Sequence, residues 1–89
     1  MNYYTIDFTG AVDLSDFYQR IIKGLKFPDW CGENLDALWD ALTGMMYTPA
    51  VIKIKTETKR AALQQSVNDI IEVFREAEAE YGEIKVITE

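Results

Sequence analysis

The sequence predicts a two-layer α/β domain: a three-stranded parallel sheet with about four helices on one face. Three observations carry this. Runs rich in β-branched and aromatic residues lie at 2–8, 50–55 and 83–88, the composition of strands. The stretches between them place apolar residues at helical spacing. Strands joined through helices run parallel, by right-handed connections, because each crossover returns the chain to the same end of the sheet. Three such strands with their helices on one face make two layers.

In order, Tyr4, Ile6 and Phe8 alternate along the first strand, and Gly10 ends it. Asp13 or Ser15 can cap a helix reaching about residue 24. Its apolar positions are Leu14, Phe17, Tyr18, Ile21, Ile22 and Leu25. Gly24 falls where a helix stops, and Pro28 opposes continuation. The loop from Phe27 to Cys31 carries Trp30, either packed onto the core or kept as a contact anchor. A short helix over 33–43 follows. Leu35, Leu38 and Leu42 fall on one side of it, Asp36, Asp40 and Glu33 in another sector, with Trp39 between.

A second loop runs to Pro49, and Thr48-Pro49 is a candidate cis bond. In the strand Ala50–Lys55, Val51, Ile52 and Ile54 suggest burial on more than one side. A short helical piece is expected from Glu57 to about Gln64. Ser66-Val-Asn-Asp69 then resembles a capping box, opening a helix whose buried stripe is Val67, Ile70, Ile71, Phe74, Ala77 and Tyr81. Glu72, Arg75, Glu76 and Glu80 face outward, Gly82 supplies the C-cap, and 83–88 is the last strand. Nothing divides the chain, so residues 1–89 are expected to form a single domain with one modest core.

Composition removes several functions. Nine basic and fifteen acidic residues give a net charge of −6. Between Lys26 and Lys53 there is no Lys or Arg, yet Asp29, Glu33, Asp36 and Asp40 all lie there. Such a segment disfavours direct nucleic-acid binding, which rests on Lys and Arg, and favours a basic partner reached by electrostatic attraction. Cys31 is the only cysteine and there is no histidine. An intrachain disulfide, a Cys/His metal site and the commonest general base are therefore unavailable. The first residues lack the basic and apolar regions of a signal peptide, and no apolar run approaches a membrane span. A soluble, reduced, cytoplasmic protein without cofactor is expected.

The central helix carries the one pattern that local folding does not explain. Asp36 and Asp40 are an i,i+4 like-charge pair, which opposes the helix by roughly 0.2–0.5 kcal/mol. An acid in the first turn complements the helix dipole, but Asp40 lies near the C-terminal end, where a negative charge is unfavourable. The row reads either as a solvated face or as a recognition surface. Acid–base catalysis by the pair would need a cleft and raised pKa values, which a convex helix does not offer. Oxygen-only metal binding by Glu33, Asp36 and Asp40 would lack a ligand-dense loop. Neither a catalytic nor a metal role is assigned. Carboxylates at fixed spacing can take the place of phosphates against Arg and Lys.

The run Cys31-Gly-Glu-Asn-Leu-Asp-Ala-Leu-Trp-Asp40, followed by Ala-Leu-Thr-Gly44 and Pro49, resembles the central motif of the barstar family of intracellular ribonuclease inhibitors. Val73-Phe-Arg-Glu-Ala77 resembles a second stretch of that family, and the similarity covers essentially the whole chain with about a one-residue gap between Pro49 and Phe74. The resemblance implies a three-stranded parallel sheet with helices. It also implies a monomeric, non-enzymatic protein that plugs the active site of a basic, secreted, barnase-type ribonuclease as a 1:1 complex. Asp40 would stand for a substrate phosphate, Asp36 would make a second acidic contact and Glu76 a peripheral one. Gly32, Asn34, Leu35, Trp39, Thr43 and Gly44 match further contact positions, with Trp30 beside them. Trp30 and Cys31 stand where the family's type member has two tyrosines, and Met45 where it has a tryptophan. An immunity or regulatory module for another basic toxin protein is the alternative.

Overall fold

Alternation along the strands lays down the sheet. The computed structural model describes residues 1–58 and 60–89. β1 (Asn2–Asp7), β2 (Ala50–Lys55) and β3 (Ile84–Thr88) pair in parallel in the order β1-β2-β3. The register aligns Tyr4 with Ile52 and Val86, and Ile6 with Ile54. Every second residue therefore projects to one side. Ile6, Ile52, Ile54, Ile84 and Val86, with Phe8 just past β1, are all buried there. The other side, with Tyr3, Thr5, Lys53, Lys55, Lys85 and Ile87, faces solvent. Val51 lies on that side and is only half-buried. The expected burial of β2 on more than one side is thus corrected: one face is covered, and alternate residues supply all the buried side chains.

The cover consists of α1 (Leu14–Gly24), α2 (Leu35–Gly44) and α3 (Gln64–Glu80), preceded by a single 3₁₀ turn at Ala61–Leu63. Phe17, Tyr18, Ile21 and Ile22 of α1, Leu38, Ala41 and Leu42 of α2, and Val67, Ile70, Phe74 and Ala77 of α3 join the strand residues in one cluster. No polar or charged side chain is buried among the described residues. Asp13 caps α1, accepting from the Asp16 N–H at 2.8 Å. Gly24 is the last residue of α1, and nothing larger fits there: a Cβ would stand 2.9 Å from the Thr5 carbonyl oxygen. Thr48-Pro49 is cis.

Several boundaries differ from expectation. The helical piece expected over 57–64 is the 3₁₀ turn alone, and Lys59 within it lies outside the described residues. α3 starts at Gln64, so Ser66 sits inside its first turn and no side chain caps the helix. The 3₁₀ turn leads straight into α3 through Leu63, a helical cap conformation that leaves the Ser66 signal no terminus to act on. At the other end, the C-cap is Tyr81 in extended conformation, not Gly82. Tyr81 is 42% exposed and Ile71 half-buried, so the stripe of α3 is narrower than predicted.

Candidate functional site

Asn34 begins α2 locally. Its backbone is extended, with φ −154° and ψ 168°, and its side-chain oxygen accepts from the Ala37 N–H at 2.8 Å. α2 therefore runs from Leu35 to Gly44 rather than over 33–43. Glu33 lies outside the helix and bonds to α1. One carboxylate oxygen accepts from Ser15 Oγ at 2.8 Å and the other from Gln19 Nε2. These bonds, Gln19 first, hold the Glu33 carboxyl below its usual pKa. The expected row of three acids is thus a pair on the helix with a third acid tying the preceding loop to α1.

Gly32 completes that corner. A Cβ on it would come within 3.0 Å of Ala37 Cβ and 3.3 Å of Asn34 Nδ2. The loop thereby passes close over the first turn of α2.

Within the helix, the buried stripe is Leu38, Ala41 and Leu42. Leu35 is 38% exposed, a correction to its place in the predicted apolar stripe. Asp36 and Asp40 are both exposed. One turn apart on one helix, their Cβ atoms are held roughly 5–6 Å from each other. Neither makes a hydrogen bond or ion pair with any other described residue, and α2 has no basic residue in its last turn to offset Asp40. Trp39 lies between them and the core, half-buried against Tyr81 with ring centroids 6.2 Å apart and planes tilted by 58°. Thr43 donates its hydroxyl to the Trp39 carbonyl at 2.8 Å, a bond within the helix that leaves the adjoining Gly44 bare.

Trp30 is 77% exposed, so it is not packed down onto the core. Tyr47 is equally exposed, and Met45 is half-buried against the core. Glu76 is exposed on α3, the helix that packs against α2, and has no ion pair among the described residues.

Sequence reasoning missed Tyr81 as the support of Trp39, having assigned it to the core. It also missed Glu33 as a loop brace. The signal for Tyr81 was its place at the end of the stripe, just before Gly82, where the helix stops and its periodicity no longer directs a side chain. No sequence signal pointed to the Glu33 contacts, because Ser15 and Gln19 are distant in the chain. Among the described residues, no group of three or more His, Cys, Asp or Glu side chains is placed to hold a metal ion, and no helix is long and apolar enough to cross a membrane.

Comparison with known proteins agrees in one direction. Residues 1–88 match the family described as Barstar (barnase inhibitor). A Bacillus subtilis (strain 168) protein named "Putative ribonuclease inhibitor YrdF" is 43% identical over 67 residues, which cover 73% of this chain and 74% of that protein.

Proposed function

The chain belongs to the barstar family, and from that premise we propose that it inhibits a basic, barnase-type secreted ribonuclease by covering the enzyme's active site with α2 and the loop before it. The observation that carries the reading is the pair Asp36 and Asp40: two exposed carboxylates, without partners among the described residues, on one rigid helix. A carboxylate kept where the helix dipole disfavours it has a use outside the fold. In the complex Asp40 occupies the position of a substrate phosphate among cationic side chains, and charge-assisted hydrogen bonds replace those of the substrate. Asp36 meets a second cation one turn away, and Glu76 adds a peripheral contact from α3.

Trp30, Gly32, Asn34, Leu35, Trp39, Thr43 and Gly44 shape the surface around these charges. Gly32 and Gly44 keep it low, so that a partner approaches the backbone closely. The interface is of standard size, roughly 1,600 Å² in total, and the complex is 1:1. An inhibitor of this kind acts in the cytoplasm of the cell that secretes the nuclease.

The test is titration calorimetry of wild type and Asp40→Ala against a barnase-type ribonuclease. Removing one partner of a buried ion pair costs about 3–5 kcal/mol, more than a hundredfold in Kd. Equal affinity of the two proteins would sink the phosphate-mimic role. Binding to a basic toxin of another class, with none to the ribonuclease, would point instead to an immunity module.

A further inference from the structure

α3 ends in a residue that is fixed without being buried. Tyr81 closes the helix with an extended backbone, φ −116° and ψ 92°. Its N–H donates to the Ala77 carbonyl at 2.8 Å, and its own carbonyl accepts from the Ile84 N–H at 3.0 Å. The backbone is thus tied to the last turn of α3 on one side and to the start of β3 on the other. Trp39 of α2 packs against the ring, with centroids 6.2 Å apart and planes tilted by 58°, within the range in which aromatic pairs attract. The ring is held in this way and is still 42% exposed. A tyrosine already ordered in the free protein loses little freedom when a partner covers it.

Tyr81 also lines an open groove of about 280 Å³, together with Thr43, Met46, Gly82, Glu83 and Ile84. Thr43 lies one turn beyond Trp39 on α2, so the groove continues the surface of α2 across to the junction of α3 and β3. Ile84 is buried and Met46 half-buried, which makes them its apolar floor. Glu83 is exposed and has no ion pair among the described residues. Gly82 keeps the groove open for no reason internal to the fold. Its φ is not left-handed, and a Cβ on it would meet no heavy atom within 4 Å. Glycine loses more conformational freedom on folding than any other residue, and here neither a left-handed turn nor a close approach calls for it.

The lining selects its occupant by charge and shape. Glu83 repels an acidic group and attracts a cation. Arginine suits the rest of the groove. Its methylenes lie on apolar surface such as that of Met46 and Ile84. Its planar guanidinium stacks on an aromatic ring while donating to a carboxylate.

We propose that this groove receives one arginine side chain of the partner protein, its guanidinium between the Tyr81 ring and the Glu83 carboxylate. The inference rests on α2 being the partner-binding helix. It carries the contact surface past α2 to the junction of α3 and β3, and it makes Tyr81, Gly82 and Glu83 determinants of which ribonuclease is bound.

The experiment measures Kd for a barnase-type ribonuclease with wild type, Tyr81→Leu, Gly82→Gln, Glu83→Gln and Asp40→Ala. Double-mutant cycles follow with each surface arginine of the ribonuclease changed to Ala. Tyr81, Gly82 and Glu83 are all exposed, so thermal melts should report folded proteins. Tyr81→Leu and Glu83→Gln are each expected to raise Kd by about three- to tenfold, and both effects should vanish against one particular arginine variant. Gly82→Gln, which places a side chain at the groove, should raise Kd by at least about tenfold. If Asp40→Ala weakens binding while Gly82→Gln and Glu83→Gln stay within about twofold of wild type, the groove is empty in the complex and the role of α2 stands. A loss in Tyr81→Leu alone then reports only its support of Trp39. Weakening by Glu83→Gln that is the same against every arginine variant also overturns the groove assignment, since the carboxylate then acts at a distance. Failure of wild type to bind the ribonuclease overturns both.

Discussion

Glu33 stands one residue before the cap of α2, and its two hydrogen bonds to α1 make it an acid of the fold rather than of the binding surface. Its pKa is lowered, like those of Asp16, bound to Arg20 and the Val12 N–H, and Asp7, bound to Thr9. A carboxyl whose folded pKa lies below its unfolded value contributes stability above the unfolded pKa and loses it as pH falls through the folded one. Thermal melts from pH 7 to pH 3 should therefore show stability falling below the ordinary carboxylate range. Glu33→Gln should flatten part of that fall while melting close to wild type once the pH is low. An unchanged pH profile would show that Glu33 does not brace the loop. The charge of this residue was legible in the sequence, but its direction was not. Helical spacing placed it with the aspartates, whereas the Asn34 cap starts α2 two residues later, at Leu35, and leaves Glu33 in the loop, where it bonds Ser15 and Gln19.

Both edges of the sheet are guarded by side chains of the helices. Because Glu89 N–H donates to the Ile54 carbonyl, Val86 directs its own N–H and C=O away from β2. Glu78 accepts that N–H at 2.6 Å, and Arg75 donates to that C=O at 2.9 Å and to Thr88 Oγ1 at 3.2 Å. On the other side Phe8 N–H donates to Lys55, so Asp7 points its carbonyl outward, where Arg20 donates to it at 3.0 Å. Gly24 packs over the Thr5 carbonyl beside it. An unguarded edge strand is a template for pairing with another chain. Arg75→Ala with Glu78→Ala should lower stability by about 1–2 kcal/mol, roughly 4–15 °C in Tm for a domain of this size. Size-exclusion chromatography should then show oligomers that grow with concentration. A strictly monomeric double variant would mean that the edge is protected by other means. Arg75 was foreseen as an outward-facing residue of α3, but its partners lie 11 and 13 residues along the chain, beyond the reach of a helical wheel.

Charge is sorted across the molecule as a whole. The loop and helix from Asp29 to Asp40 carry four acids and no base, while Lys53, Lys55 and Lys85 all emerge from the open face of the sheet. Of these, Lys53 is paired with Glu89 at 3.0 Å. If the partner is the basic ribonuclease proposed above, it would be attracted to one side of such a molecule before contact. In stopped-flow measurements its association rate should fall by about an order of magnitude or more between low and high salt, because added ions screen attraction beyond roughly 10 Å. The dissociation rate, set by close contacts, should change far less. An association rate indifferent to salt would remove the acidic surface from the account of recognition.

The sequence by itself determined the three parallel strands, the three α-helices and the exposed pair Asp36 and Asp40, because period-2 and period-3.6 patterns and helix-dipole effects act over a few neighbouring residues. It offered Asp13 or Ser15 as the cap of α1, of which the structure uses Asp13, and it marked Thr48-Pro49 as a candidate cis bond, which is cis. What only the tertiary structure decided are contacts between residues far apart in the chain. Tyr81 left the core to support Trp39. Leu35 was turned outward beside Leu14, and Val51 was left without a second layer to cover it. In each case a local pattern gave the residue's kind, and the packing of one element on another settled which way its side chain faced.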